Sequence, residues 1–251
     1  MFDRIVIFVL EDTDYYQALQ NSYLQELTYY GALFTNYYSC QHPSYPNYLN
    51  LIAAQDFGSI SDSIPDMIYG ARTIVDNLES YRFTWKNYVE PRIEKENDPL
   101  SHFYHIMSNS TKRSNIVPSS TFFDDWYARS LPTYSLYLAS HLDREPAGGV
   151  PSLIQFMNAI GGVAGIQAYT GTLVQIVYDK DDKKDNQCDI NHVFNLFLGS
   201  PVKGNCIIKT NSTPYTVLRT IEDNFKIGGI GNIGNFDRRV SAVTECWTKK
   251  K

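Results

Sequence analysis

Two short apolar runs constrain this chain more than any other feature. Ile5-Val6-Ile7-Phe8-Val9-Leu10 and Leu173-Val174-Gln175-Ile176-Val177-Tyr178 run on almost without polar alternation. A strand with one wet face alternates, whereas a parallel strand covered by helices on both faces does not. Each run ends in acid, the first at Glu11-Asp12 and the second at Asp179. Neither approaches the roughly 18 apolar residues that cross a bilayer. The first is also short for the apolar stretch of a secretory leader and ends in Glu11-Asp12 rather than at a small-residue cleavage site. Both therefore read as buried strands. With no leader visible, the chain is expected to be either intracellular or shown after removal of one.

Helical spacing alternates with these runs. Leu19, Tyr23, Leu24 and Leu27 predict a helix over Tyr15–Tyr30, with Gly31 as its stop. Further helices are expected at Tyr48–Ala54, Ile74–Tyr81, Val150–Ile160 and Thr216–Phe225, with a glycine-rich turn after Val150–Ile160. Leu33–Tyr38, Tyr134–Leu138 and Val193–Leu198 read as strands. Residues Glu90–Ser120, with Pro91, Pro99 and Pro118, read as an irregular surface excursion, and Lys249-Lys250-Lys251 as a solvated tail. The alternation predicts an α/β fold with a central, mainly parallel sheet flanked by helices. A length of 251 residues fits one domain or two. No repeat or linker divides the chain, so one domain over 1–251 is expected.

Acids outnumber bases by 27 to 22, a net charge of −5, which argues against nucleic acid as a partner. Cys40, Cys188, Cys206 and Cys246 lie too far apart for a C-x-x-C motif, leaving open two disulfides or four buried thiols. Asn109-Ser110-Thr111 and Asn211-Ser212-Thr213 are possible glycosylation sites, the second weakened by Pro214. An extracellular or surface setting and an intracellular one both stay open. Nineteen Tyr, 13 Phe and 3 Trp suit either an aromatic core or a Tyr-rich interface.

In open α/β sheets, ligands bind beyond the carboxyl ends of the strands. Glu11-Asp12, Asp179 and the His42-Pro43-Ser44-Tyr45-Pro46-Asn47 turn all fall at such places. Carboxylates from two strand ends can converge on a hard cation. A serine at a helix start sits among free N–H groups, which suit phosphate. Together they suggest metal-assisted phosphoryl transfer through a serine nucleophile. Each piece also has a plain reading. Ser44 can simply cap the next helix, Glu11-Asp12 can simply end a strand, and His42 can be a structural hydrogen-bonder. Asp179-Lys180-Asp181-Asp182-Lys183-Lys184-Asp185 can be an exposed turn.

The order of these blocks resembles a known family. Ile5–Asp12, Tyr23-Leu24 with Leu27 and Gly31, Asn36-Tyr37-Tyr38 and His42-Pro-Ser-Tyr-Pro-Asn-Tyr-Leu49 look like the start of the phosphoesterase family. That family holds bacterial acid phosphatases and phospholipase C-type enzymes on an alkaline-phosphatase-like fold. The likeness continues through Thr84–Tyr88, Leu131–Ser135, Val177–Asp179, Asn191–Gly199 and Leu218-Arg-Thr-Ile-Glu-Asp-Asn-Phe225. It implies Ser44 as nucleophile, Asn47 on the transferring phosphoryl oxygens, and His42 beside them. It implies Glu11 and Asp179 as ligands of a divalent metal ion, and Asp12 can serve as a third.

The chain also departs from the pattern. The family has Glu-Asn where this sequence has Glu11-Asp12, and two adjacent acids where it has Asp179-Lys180. An ammonium at a ligand position repels a divalent cation. Pro214 stands where the family has a His, and Asn97 stands at the His of its K-H-N-P block. His141 and Asp143 fall near another expected acid and His block without aligning to it. These departures predict a family member with an eroded metal site. Such a chain would be inactive or weakly active and kept as a binding, surface or assembly module, with a protein partner or self-assembly and no metal. The alternative is an active metal-dependent hydrolase of phosphate mono- or diesters, in which Lys180 supplies part of the positive charge.

Overall fold

In the computed structural model, residues 1–61, 69–90, 98–139, 149–182, 191–230 and 236–249 are described. Eight strands form one sheet: β1 (Arg4–Leu10), β2 (Ala32–Phe34), β3 (Trp85–Val89), β4 (Ile116–Pro118), β5 (Tyr134–Leu138), β6 (Thr172–Tyr178), β7 (Asn195–Leu198) and β8 (Cys206–Ile208). Their order is β4-β3-β5-β1-β6-β7-β2-β8. Only β7 runs against its neighbours; the remaining pairs are parallel.

The two apolar runs lie side by side at the centre. β1 pairs β6 in parallel from Arg4 opposite Thr172 to Leu10 opposite Tyr178. Six of the seven residues of β1 and all seven of β6 are buried, so neither needs a polar face. Even Gln175 is buried, where its Nε2 donates to Asn195 Oδ1 at 3.1 Å on β7. Burial of each large apolar side chain contributes roughly 1.5–3 kcal/mol. Phe8 packs against Tyr137 and Phe156, with ring centroids 5.0 and 4.5 Å away. Much of the aromatic abundance serves this core: Trp85, Tyr37, Tyr88, Tyr134, Tyr178, Phe122 and Phe197 are fully enclosed.

Several boundaries differ from expectation. The helix predicted over Tyr15–Tyr30 is two, Tyr15–Gln20 and Ser22–Thr28, because Asn21 leaves helical geometry and its side chain caps the second. Gly31 is needed for close approach: a Cβ there would lie 2.3 Å from the Phe197 carbonyl oxygen. The stretch after the predicted Val150–Ile160 helix is another helix, Gly162–Ala168, entered through Gly161 at φ 81°. The excursion Glu90–Ser120 contributes β4 to the sheet. Sequence reading also missed β3 and β8 as strands. Cys206 and Cys246 are bonded, Cys40 is free, and Cys188 lies outside the described residues. No helix among the described residues is long and apolar enough to cross a membrane.

Candidate active site

β1 and β6 end together, so their acidic termini meet. Asp179 N donates to the Leu10 carbonyl at 2.9 Å. In return Asp12 N and Lys180 N donate to Asp179 Oδ1 at 3.2 and 2.7 Å. Asp12 sits at φ 59°, a left-handed turn that folds the chain back over the end of β6. Thr13 N donates to the Lys180 carbonyl at 3.1 Å, which fixes this turn from the other side. Glu11, Asp12 and Asp179 thus lie together at the two strand ends.

The His42–Asn47 turn and the helix behind it pack across these strand ends. The helix runs from Ser44 to Ala53, and Pro43 rather than Ser44 is its N-cap, with no side-chain cap. The simple capping role for Ser44 therefore falls away. The hydroxyl lies at the first helical position, among backbone N–H groups and at the positive end of the helix dipole. Burial pushes the Asp179 carboxyl well above the usual carboxylate range, and the charges of Glu11 and Asp12 push it further; the Ser44 hydroxyl and Lys180 oppose this. Its Oδ2 is buried and accepts no hydrogen bond of ordinary geometry. The Tyr48 hydroxyl donates to Glu11 Oε1, and Ser39 Oγ donates to the Asp179 carbonyl.

Asn47 is used differently from the role implied for it. Its Oδ1 accepts from Cys40 N at 3.1 Å and Gln41 N at 3.0 Å. Its Nδ2 donates to the carbonyls of Gln41 at 2.6 Å and Pro43 at 3.1 Å. Both amide protons are spent on the loop that carries Ser44, so Asn47 anchors that loop to the start of the helix. Asn47→Ala is expected to leave the half-buried Cys40 and Gln41 N–H groups without their acceptor, at a cost of about 1 kcal/mol. Urea unfolding checks this. Asn47→Asp, which keeps the acceptor, should lose less, and an Asn47→Ala chain as stable as wild type would contradict the role.

His42 lies in the same corner, and its Nε2 is 2.6 Å from Asp181 Oδ1. Asp181 was read as part of an exposed turn, yet its side chain is only 1% exposed. Its own N–H donates to Asn191 Oδ1 at 2.8 Å, and Asn191 Nδ2 donates to the Gln41 carbonyl at 2.8 Å. A buried carboxylate hydrogen-bonded to an imidazole fixes the orientation of the ring. Asp181, Asn191 and Tyr48 were missed by sequence reading. Nothing in the sequence separates buried Asp181 from exposed Asp182, whereas Tyr48 lay within the quoted block.

The departures are equally concrete. The Lys180 ammonium meets Asp12 Oδ1 and lies 3.3 Å from the Asp181 carbonyl, with the side chain 13% exposed. Pro214 begins the helix Pro214–Phe225 and lines a void of about 10 Å³ together with Ser39, Asn47, Tyr48 and Asp179. Among the described residues, no group of three or more His, Cys, Asp or Glu is arranged to hold a metal ion. The Lys180 ammonium already engages one carboxylate of this donor set. Asn97, His141 and Asp143 lie outside the described residues. Asn109 and Asn211, the possible glycan acceptors, are both exposed.

Comparison with known proteins gives the family and the fold. The Phosphoesterase family model matches residues 8–228. A phosphate-repressible acid phosphatase of Penicillium chrysogenum is 23% identical over 94% of this chain and 61% of its own length. A phosphatidylinositol-3-phosphatase of Mycobacterium tuberculosis is 22% identical over 98% of this chain and 83% of its own. The chain spans about three-fifths of the length of the fungal acid phosphatases it matches. A Vibrio parahaemolyticus protein of the alkaline phosphatase superfamily superposes with a TM-score of 0.64 at 14% identity, over 98% of this chain and 70% of that one. The fold is alkaline-phosphatase-like, and the chain belongs to the phosphoesterase family.

Proposed function

We infer that this chain recognises phosphate esters at the Ser44 corner but turns them over weakly or not at all, and that it serves as a binding, surface or assembly module. The observation that carries this reading is the Lys180 ammonium on Asp12, within the acid cluster at the strand ends. Pro214 supports it, because a pyrrolidine has no ring nitrogen for a metal and no proton to give. What the corner retains is recognition chemistry. The start of the Ser44–Ala53 helix turns the positive end of its dipole towards an oxyanion, with the Lys180 ammonium in the same corner.

A second reading keeps the chain as a hydrolase. It is favoured by the Ser44 hydroxyl, which is free of any capping duty beside Asp179. There Ser44 Oγ would attack phosphorus while its proton passes to Asp179, and His42, held by Asp181, would protonate the leaving oxygen.

Hydrolysis of p-nitrophenyl phosphate and its diester separates the two. The first reading expects no release of nitrophenolate above the Ser44→Ala background with Mg²⁺, Mn²⁺, Ca²⁺ or Zn²⁺. Turnover that disappears in Ser44→Ala overturns it.

A further inference from the structure

Three carboxylates gather at two neighbouring strand ends, Glu11 and Asp12 after β1 and Asp179 after β6. Anions brought together and partly withdrawn from water need a counter-charge nearby. Lys180 supplies one from the chain itself. Its placement is fixed by backbone as well as side chain. Lys180 N donates to Asp179 Oδ1 at 2.7 Å, and its carbonyl accepts Thr13 N at 3.1 Å. The residue is therefore tied to both strand ends, and its ammonium turns back onto Asp12 rather than out to solvent. On the opposite side, the void of about 10 Å³ beside Pro214 and Asp179 has room for about one water and none for an additional ligand side chain.

We propose that Lys180 is a built-in counter-cation that replaces a divalent ion among Glu11, Asp12 and Asp179, so that the site excludes such ions by charge. The proposal rests on the reading of this corner given above and deepens it. A divalent cation entering the cluster would face a positive charge already paired to one of its ligands, and at these short distances that repulsion is only partly screened. One substitution should reverse the situation. Lys180→Asp removes the ammonium and adds a carboxylate where the family pattern has an acid.

Mn²⁺ binding to the full chain tests this, read by the electron paramagnetic resonance of free aqueous Mn²⁺ and by calorimetry. Wild type is expected to leave equimolar Mn²⁺ free. Lys180→Asp should bind one ion per chain about a hundredfold more tightly or better, and Lys180→Met, which removes charge without adding a ligand, should fall between the two. Tight binding to wild type that is lost in Asp179→Asn overturns the proposal. So does a folded Lys180→Asp chain that binds no better than wild type. If that variant fails to fold, the wild-type measurement alone decides. Tight Mn²⁺ binding without hydrolysis would sink this proposal and spare the inactive reading. Ser44-dependent hydrolysis in the presence of chelator would do the reverse.

Discussion

Cys246→Ser is expected to lower stability by about 4 kcal/mol, the loop-closure entropy of a crosslink spanning 40 residues. For a chain this long, that corresponds to a fall in Tm of roughly 8–16 °C. The bond has a clear task in this fold. β8 is a three-residue edge strand and adds little on its own. Cys206 within it is joined to Cys246, one residue before Trp247, whose ring packs near Phe2 and Phe197 at 5.9 Å from each. Lys203 N also donates to the Cys246 carbonyl at 2.8 Å. The disulfide therefore holds both the sheet edge and the C-terminal segment against the core. Scanning calorimetry of Cys246→Ser, or of reduced wild type, checks it. A Tm within about 2 °C of the oxidised chain would contradict the account.

Alkaline pH is expected to destabilise the chain through Glu222, and Glu222→Gln to remove that sensitivity. Glu222 on the helix Pro214–Phe225 and Asp237 in the turn Phe236–Arg239 are both buried and both accept Ile230 N–H, at 3.0 and 2.9 Å. Among the described residues, Glu222 Oε2 and Asp237 Oδ1 are buried without a hydrogen bond of ordinary geometry. Burial first, and the Asp237 charge second, push the Glu222 carboxyl up to about 9; the Ile230 N–H and the Arg219 charge pull weakly the other way. The native state then holds a proton that the unfolded chain releases near its ordinary pKa of about 4.3. A raised acid pKa contributes stability that is fully present below the unfolded value. That stability is lost at about 1.4 kcal/mol per pH unit as pH rises towards about 9. Gln cannot ionise, and its amide can donate to Asp237. Melting curves from pH 5 to pH 9 should therefore converge for wild type and Glu222→Gln at the acid end and separate in favour of the variant at the alkaline end. Parallel curves would contradict this.

The central strands were legible because their physics is local. A short unalternating apolar run bounded by acid reads as a strand covered on both faces, and β1 and β6 are that. The Ser44 block was legible as a block but not in detail. Its capping geometry depends on how Pro43 enters the helix, and the roles of Asn47 depend on a loop that folds back on itself. Asp181 was illegible because burial of one carboxylate among several in a polar run is set by His42, which lies 139 residues away in sequence. β8 was illegible for a similar reason. Three residues with a half-buried pattern become a strand only because β2 and the Cys246 crosslink hold them there. Pro214 and Lys180 were visible as departures, and the structure adds what each one touches.

The central claim is that an ammonium, not a divalent ion, neutralises the acids at the ends of β1 and β6. Crystals grown in Mn²⁺, with diffraction recorded for anomalous signal, test it most directly. The account predicts no anomalous peak between Glu11, Asp12 and Asp179, with Lys180 Nζ against Asp12. A peak coordinated by Glu11 and Asp179, with Lys180 displaced from Asp12, would contradict it.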